Sequence, residues 1–524
     1  MTVRSTTLLQ VALVLAASSG PASAERSIAA DLHRVKGPLD TMFKACVGAG
    51  RANEGLRADW QRQLEAVHKE CGFTCVRMHG LLGDDMGVYR EGRDGRPEYN
   101  WQYIDELYDF LVRIGMKPFV ELSFSPSALA SGDKTIFWWR GNVTRPKDPK
   151  KWGDLIRALV AHLKERYGDA EVRTWYFEVW NEPNLDAFFV GTQQDYFDLY
   201  AVTAKAIKSV SPAYRVGGPA TAGCAWIPEF IRYCAGHHVP VDFVSSHDYA
   251  VDVGHLDETG NAGTVLSANP RAIYGNVLRM REQIAASPLP KLELHLTEWS
   301  ASYTPADPVH DSYHSAAFIL DKVKNAGAAA NSMSYWVFTD IFEEAGPRFT
   351  PFHGGFGLLN YQDLRKPAFF AYQFLNRLGP TEIASSDPAS YVTTDAAGGV
   401  QVLFWDFTLV RPGKTENDQE FYKHDLPAKA KGFARIHLTS VPPGRYTLTL
   451  YQVGYRVNDA YAVYKDLGAP NQLTRAQVAK IKAASDGRPV EQKTVTVDAD
   501  GTFDQAVSLR ENDVFLFTLE KRRD

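Results

Sequence analysis

The sequence predicts an α/β fold, a (β/α)8 TIM barrel followed by a C-terminal antiparallel β-sandwich domain. Three observations predict it. Between residues 43 and 376, eight short apolar runs alternate with longer amphipathic stretches. Those runs mostly lack the polar alternation of a one-sided sheet, as parallel strands covered on both faces do. After Gly379-Pro380 the pattern changes to β-like segments, several of them alternating, separated by turn signals such as Pro442-Pro443-Gly444.

Taken in chain order, residues 1–24 read as a secretory leader. Arg4 supplies a positive charge, 8–17 is apolar apart from Gln10, and Ala22-Ser23-Ala24 before Glu25 has the small-x-small pattern of a cleavage site. Export, to the periplasm or outside the cell, is therefore expected. Residues 25–42 form a short segment expected to add a strand to the sandwich. The catalytic barrel is expected over 43–379, with strands at 43–48, 75–79, 118–124, 175–179, 215–218, 243–247, 292–297 and 334–338. Between them the apolar period becomes helical: Leu56, Trp60, Leu64 and Val67 recur every three or four residues, as do Leu107, Phe110, Leu111 and Ile114. Further helices are expected at 152–167, 196–210, 227–236, 273–286 and 313–327. Each unit takes about 42 residues, a length that suits a barrel with loop insertions. An open doubly wound sheet fits less well, because Gly48-Ala49-Gly50-Arg51 lacks the third glycine of a nucleotide-binding turn. The accessory domain spans 380–524, with strands at 400–407, 434–440, 446–453, 494–497 and 514–519 and a helix inserted at 473–484.

Composition narrows the function. In 524 residues, 45% hydrophobic and 23% charged content is globular, and a net charge of −5 leaves no broad basic footprint for nucleic acid. The N-terminal apolar stretch is too short for a membrane span, so no membrane partner is expected. Aromatic content of 12% suits clefts that stack on sugar rings. Five cysteines are an odd number, so at least one thiol is free; buried thiols with at most one disulfide are expected. No metal or other cofactor is expected. Cys71-x-x-x-Cys75 has no second Cys/His pair at matching spacing, and His310 and His314 lack the glutamate of an HExxH helix.

Two carboxylates stand where barrel enzymes keep their chemistry. The fourth strand runs into Trp180-Asn181-Glu182-Pro183-Asn184, and the seventh into Thr297-Glu298-Trp299. C-terminal strand ends line the mouth of a (β/α)8 barrel, so both side chains are expected there. Pro183 is expected to hold Glu182 extended. The two lie 116 residues apart, about three barrel units. Facing carboxyl groups can cleave a glycosidic bond, one donating a proton and the other meeting the charge at the anomeric carbon. Repulsion between them and partial burial would raise the pKa of the acid. Spacing does not say which is which.

These motifs resemble the two signatures of glycoside hydrolase family 39. The likeness extends through VGAGRANE at 47–54, RMHGLLGDDM at 77–86, and the segments 117–126, 216–221, 242–249 and 335–344. It implies Glu182 as acid/base and Glu298 as the nucleophile of a retaining double displacement. It implies Asn181 on the hydroxyl beside the anomeric carbon, His79, His247 and Tyr249 as sugar-binding positions, and Trp336 as the platform beneath the ring. Glu343 and Glu344 would accept bonds from ring hydroxyls. The implied activity is release of terminal β-D-xylosyl residues from xylo-oligosaccharides, a small oligosaccharide being the partner. The family also includes α-L-iduronidases and arabinoside-cleaving enzymes. A uronate calls for a nearby cation, however, and 335–344 offers acids (Asp340, Glu343 and Glu344) and no Lys or Arg. A non-catalytic sugar-binding protein would be expected to have lost one glutamate; this chain keeps both. The loop 352–357, rich in Gly and aromatics, suits a lid at the mouth, and Trp138-Trp139 suits a cleft wall.

Overall fold

The computed structural model describes residues 25–255, 263–409 and 418–522; the leader expected at 1–24 lies outside them. Eight parallel strands close into a barrel: Cys46–Arg51, Cys75–His79, Lys117–Leu122, Tyr176–Val179, Arg215–Ala222, Phe243–Tyr249, Glu293–Ser300 and Ser332–Tyr335. The fourth and seventh carry the two glutamate motifs at their ends. Helices Ala58–Cys71, Gln102–Arg113, Pro149–Tyr167, Gln193–Val210, Ile227–Gly236, Tyr274–Ala285 and His314–Ala326 cover the outside, each starting within about three residues of its expected position. Asp148 caps one of them, and Thr192 forms a capping box with Asp195 on another. An eighth helix, Pro367–Asn376, escaped the sequence reading. Its burial on nearly every face hides any amphipathic stripe.

Side chains inside the barrel alternate along each strand and stack in layers. The lowest layer is aromatic: Phe119, Tyr176, Phe243 and His295 pack with ring centroids 4.6–5.6 Å apart. Two residues further along their strands come Glu121, Glu178, Ser245 and Thr297, and Arg77 of the second strand joins them, all buried. Above these sits the mouth. The barrel is thus plugged by rings below and becomes charged toward its C-terminal face.

The accessory domain is a nine-stranded sheet in the order 491–497, 444–453, 514–521, 400–405, 390–394, 381–385, 25–38, 430–439, 503–510. Strands from opposite ends of that order pack face to face, as Phe503 does on Phe517 at 5.6 Å, so the sheet folds over into a sandwich. The N-terminal strand Glu25–Pro38 lies within it, bulged between Ala30 and Gly37. It pairs antiparallel with Thr381–Ser385 and parallel with Ala430–Thr439, a parallel neighbour in an otherwise antiparallel sheet. Strands Thr381–Ser385, Ser390–Thr394 and Phe503–Arg510 were not foreseen. On the barrel side, Tyr391, Leu403, Trp405, Val514 and Leu516 belong to the same buried cluster as the barrel helices.

All five cysteines are free, four of them buried, so no disulfide forms. The segment expected as a lid is packed instead: Phe352 stacks on Tyr464 of the accessory domain at 4.9 Å, and Gly354 backs onto Asp307. His310 and His314 are buried apart, bonded to the Gly354 carbonyl and the Ser312 hydroxyl.

Candidate active site

At the C-terminal face of the barrel a cleft of about 1040 Å³ opens, lined by His79, Asn181, Glu182, Tyr249, Glu298, Trp336 and Glu344 among others. Strand four ends at Val179, and the chain then turns sharply. Trp180 and Glu182 have φ of 70° and 45°, so Glu182 is not extended as Pro183 suggested. The neighbouring strand decides: the Glu182 N–H donates to the Ala220 carbonyl at 2.8 Å, and Asn184 bonds both backbone groups of Ala222. These contacts hold a backbone that costs roughly 1–3 kcal/mol. The turn aims Glu182 across the mouth at Glu298.

The two carboxyl groups meet. One oxygen of each, with a nitrogen of His247, lies within 4.8 Å of the others. Their surroundings differ. Glu298 Oε1 accepts from Arg77 Nη1 at 2.7 Å, and its Oε2 from the Tyr249 hydroxyl at 2.7 Å. Among the described residues, the Glu182 carboxyl has one hydrogen-bond partner, His247 Nδ1, at 2.9 Å. Burial, then the Glu298 charge, push the Glu182 carboxyl well above the usual carboxylate range, with Arg77 opposing. Burial also leaves Glu298 raised, with Arg77, His79 and the Tyr249 hydrogen bond opposing it. Of the pair, Glu182 is the better built to keep a proton and Glu298 the better built to stay ionised.

Arg77 is the hub beneath. Fully buried, it bonds Glu178 at 2.5 Å, Glu121 at 2.9 Å, Asn181 Oδ1 at 3.0 Å and Glu298. A lone guanidinium there would be prohibitive; three carboxylates, each meeting a different nitrogen of it, compensate it. Asn181 gives its oxygen to Arg77, so its amide N–H groups are left to donate. His79 hydrogen-bonds Glu121 through Nδ1 at 2.7 Å, and its Nε2 lies 3.3 Å from Glu298 and 3.6 Å from Glu344. Trp336 presents its ring to the cleft beside His79, centroids 4.7 Å apart. Gly48 gives that ring its room, since a Cβ there would lie 2.2 Å from Trp336 Cε3.

Two expected sugar contacts are placed differently. Glu343 does not line the cleft: Arg51 and Arg57 hold its carboxylate at 2.8 and 3.0 Å, on the other side of the chain from Glu344. His247 is fully buried behind Glu182 and positions that carboxyl rather than facing the cleft. Burial drives its pKa well below the usual value, so the ring is neutral. Glu344 does line the cleft, and burial with neighbouring acids raises its carboxyl strongly. Trp138 is a wall residue and its backbone N–H bonds the Glu344 carbonyl at 2.8 Å, whereas Trp139 packs against Gly80 and Gly141. Sequence reasoning gave no role to Arg77, Glu121 or Glu178. Charged residues inside apolar strand runs are the signal that points to them.

Among the described residues, Glu182, His247 and Glu298 are the set whose donor atoms could converge on a metal ion. All three are already bonded within the site, and the Arg77 guanidinium supplies the local positive charge.

A sequence profile of glycosyl hydrolases family 39 matches residues 27–504. A β-xylosidase of Caldicellulosiruptor saccharolyticus is 46% identical over 458 residues, 86% of this chain and 89% of that protein. One of Geobacillus stearothermophilus is 39% identical over 491 residues, 92% and 93% of the two chains. The crystal structure of a monomeric β-xylosidase from Caulobacter crescentus CB15 superposes with a TM-score of 0.90 at 45% identity, covering 95% of this chain and all of that one. With the profile spanning barrel and sandwich alike, and two facing glutamates at the mouth, the chain belongs to glycosyl hydrolases family 39.

Proposed function

We propose that the protein is a retaining exo-glycosidase that releases terminal β-D-xylosyl residues from xylo-oligosaccharides. The observation that carries this reading is the approach of Glu182 and Glu298 to within 4.8 Å across the cleft. Carboxyl groups about 5–5.5 Å apart leave no room for a water behind the sugar, so one must attack directly. Glu298, ionised between Arg77 and Tyr249, attacks the anomeric carbon. Glu182 gives its proton to the glycosidic oxygen, and the shortened oligosaccharide leaves. A water then enters, loses a proton to Glu182 and displaces Glu298, so configuration is inverted twice and retained. Asn181 donates to the hydroxyl beside the anomeric carbon, where contacts strengthen as positive charge develops. Trp336 stacks under the ring, and His79 and Glu344 bond its hydroxyls.

The bond from Trp138 to the Glu344 carbonyl ties the insertion after strand three to the segment after strand eight, closing one end of the cleft, as exo action on a terminal residue needs. That enclosed region bears the acids Glu182, Glu298 and Glu344, while Arg77 is committed to its own partners. A neutral pentose fits this wall better than a uronate. Export through the leader at 1–24 would put the enzyme where xylan fragments occur; N-terminal sequencing of the extracytoplasmic protein tests that step.

The purified mature chain is to be assayed on nitrophenyl β-xyloside, α-arabinosides, β-glucoside and α-iduronide, with NMR of the first-formed sugar. Preference for the xyloside with retention is expected. Inversion, or a preference for the iduronide, refutes the reading.

A further inference from the structure

Beyond Glu182 the cleft carries a group that the cleavage step does not use. Arg279, on the helix Tyr274–Ala285, is the one Lys or Arg among the residues lining it. Among the described residues its guanidinium has no ion-pair or hydrogen-bond partner. Asp248 lies close enough for Arg279 to stabilise its ionised form. The carboxyl is 6% exposed, bonded to Asn276 Nδ2 at 2.8 Å, and burial pushes it up to about 7.

The position matters. The departing oxygen takes its proton from Glu182, so the rest of the substrate lies on the Glu182 side. That side is walled by Leu185, Ala222, Gly223, Asp248, Asn276 and Arg279. At Gly223 a Cβ would meet nothing within 4 Å, so the path there is open. A cleft of about 1040 Å³ also has room for more than one sugar ring. A guanidinium without a partner among the described residues, at the leaving-group end of an otherwise acidic cleft, matches a planar anion, which it can grip with two parallel hydrogen bonds.

We propose that Arg279 forms a leaving-group subsite for a carboxylate, so that acidic xylo-oligosaccharides are preferred over neutral ones. Two sources of that carboxylate share the chemistry: an aldonate at the oxidised reducing end, or a uronosyl branch on the unit after the scissile bond. The inference rests on the β-xylosidase reading above.

The test compares kcat/KM of the full-length protein and Arg279→Gln on nitrophenyl β-xyloside, xylobiose, xylobionate and xylotriose bearing a glucuronosyl branch on its second unit. In the wild type at least one acidic substrate should exceed its neutral counterpart. In the variant that acidic-to-neutral ratio should fall at least fivefold, and the substrate that responds identifies the source. Arg279→Lys, which keeps the charge but not the fork, should fall between. Salt at 0.5 M should shrink the wild-type ratio. An unchanged ratio in Arg279→Gln, or no wild-type preference while nitrophenyl xyloside is cleaved well, overturns the subsite. Failure of the wild type on nitrophenyl xyloside overturns the xylosidase reading instead.

Discussion

Replacing Tyr249 by Phe removes one oxygen and tests how Glu298 is kept ionised. The hydroxyl donates to Glu298 Oε2 at 2.7 Å, while the ring packs against the buried cluster of Trp336, Val337, Phe342 and Phe356, packing that Phe keeps. Without it, Oε2 has only His247 Nδ1 at 3.5 Å. A hydrogen bond to a charged group is worth about 1.5–3 kcal/mol, which is about ten- to a hundredfold in rate. The lower end is expected, because Arg77 still holds Oε1 at 2.7 Å. The sign on pH follows. Burial raises Glu298 and Tyr249 lowers it, so losing the hydroxyl raises it further. The nucleophile must be ionised, so the acid limb of kcat/KM for nitrophenyl β-xyloside moves to higher pH. The assay is a pH profile of wild type and Tyr249→Phe, with Tm measured alongside. An unmoved acid limb with kcat/KM within twofold of wild type would refute this account of Glu298.

Other perturbations separate the remaining roles. Glu298→Ala should abolish nearly all turnover, and added azide should yield a glycosyl azide of inverted configuration; residual rates near wild type would remove it as nucleophile. Glu182→Ala should keep much of its activity on aryl xylosides with good leaving groups and lose it on xylobiose, whereas equal losses on both would unseat it as the acid. Gly48→Ala puts a methyl 2.2 Å from the Trp336 ring. A rigid indole cannot yield cheaply, so a stability loss of about 1–3 kcal/mol and a raised KM are expected, read by denaturant unfolding and steady-state kinetics. Wild-type KM in that variant would show Trp336 to be no platform.

Much of this was legible because barrels write their chemistry at strand ends. An apolar run followed by Asn-Glu-Pro is readable without coordinates, and the repeat of the pattern three units later fixes where the partner lies. What escaped was set by contacts across the chain. Arg77 looks like an isolated polar residue in an apolar strand until Glu121, Glu178 and Glu298 surround it. Glu343 and Glu344 are indistinguishable as letters; the positions of Arg51 and Arg57 separate them. Local preference pointed the wrong way at Glu182, where a hydrogen bond to Ala220 overrode the residue before proline. The strands at 381–394 were missed because they are short and their partners include a segment some 350 residues earlier.

That early segment, Glu25–Pro38, has a bearing on how the molecule is assembled. It is synthesised before the barrel yet hydrogen-bonds to Ala430–Thr439, which emerges only after the whole barrel. One edge finds Thr381–Ser385 only after the barrel is made and the other waits longer still, through the synthesis of more than a barrel's length of chain. The sandwich therefore closes last, like a clasp fastened by the two ends of a cord. Deleting this one strand should leave the neighbours at 381–385 and 430–439 as raw edges, open to the same segment of another molecule.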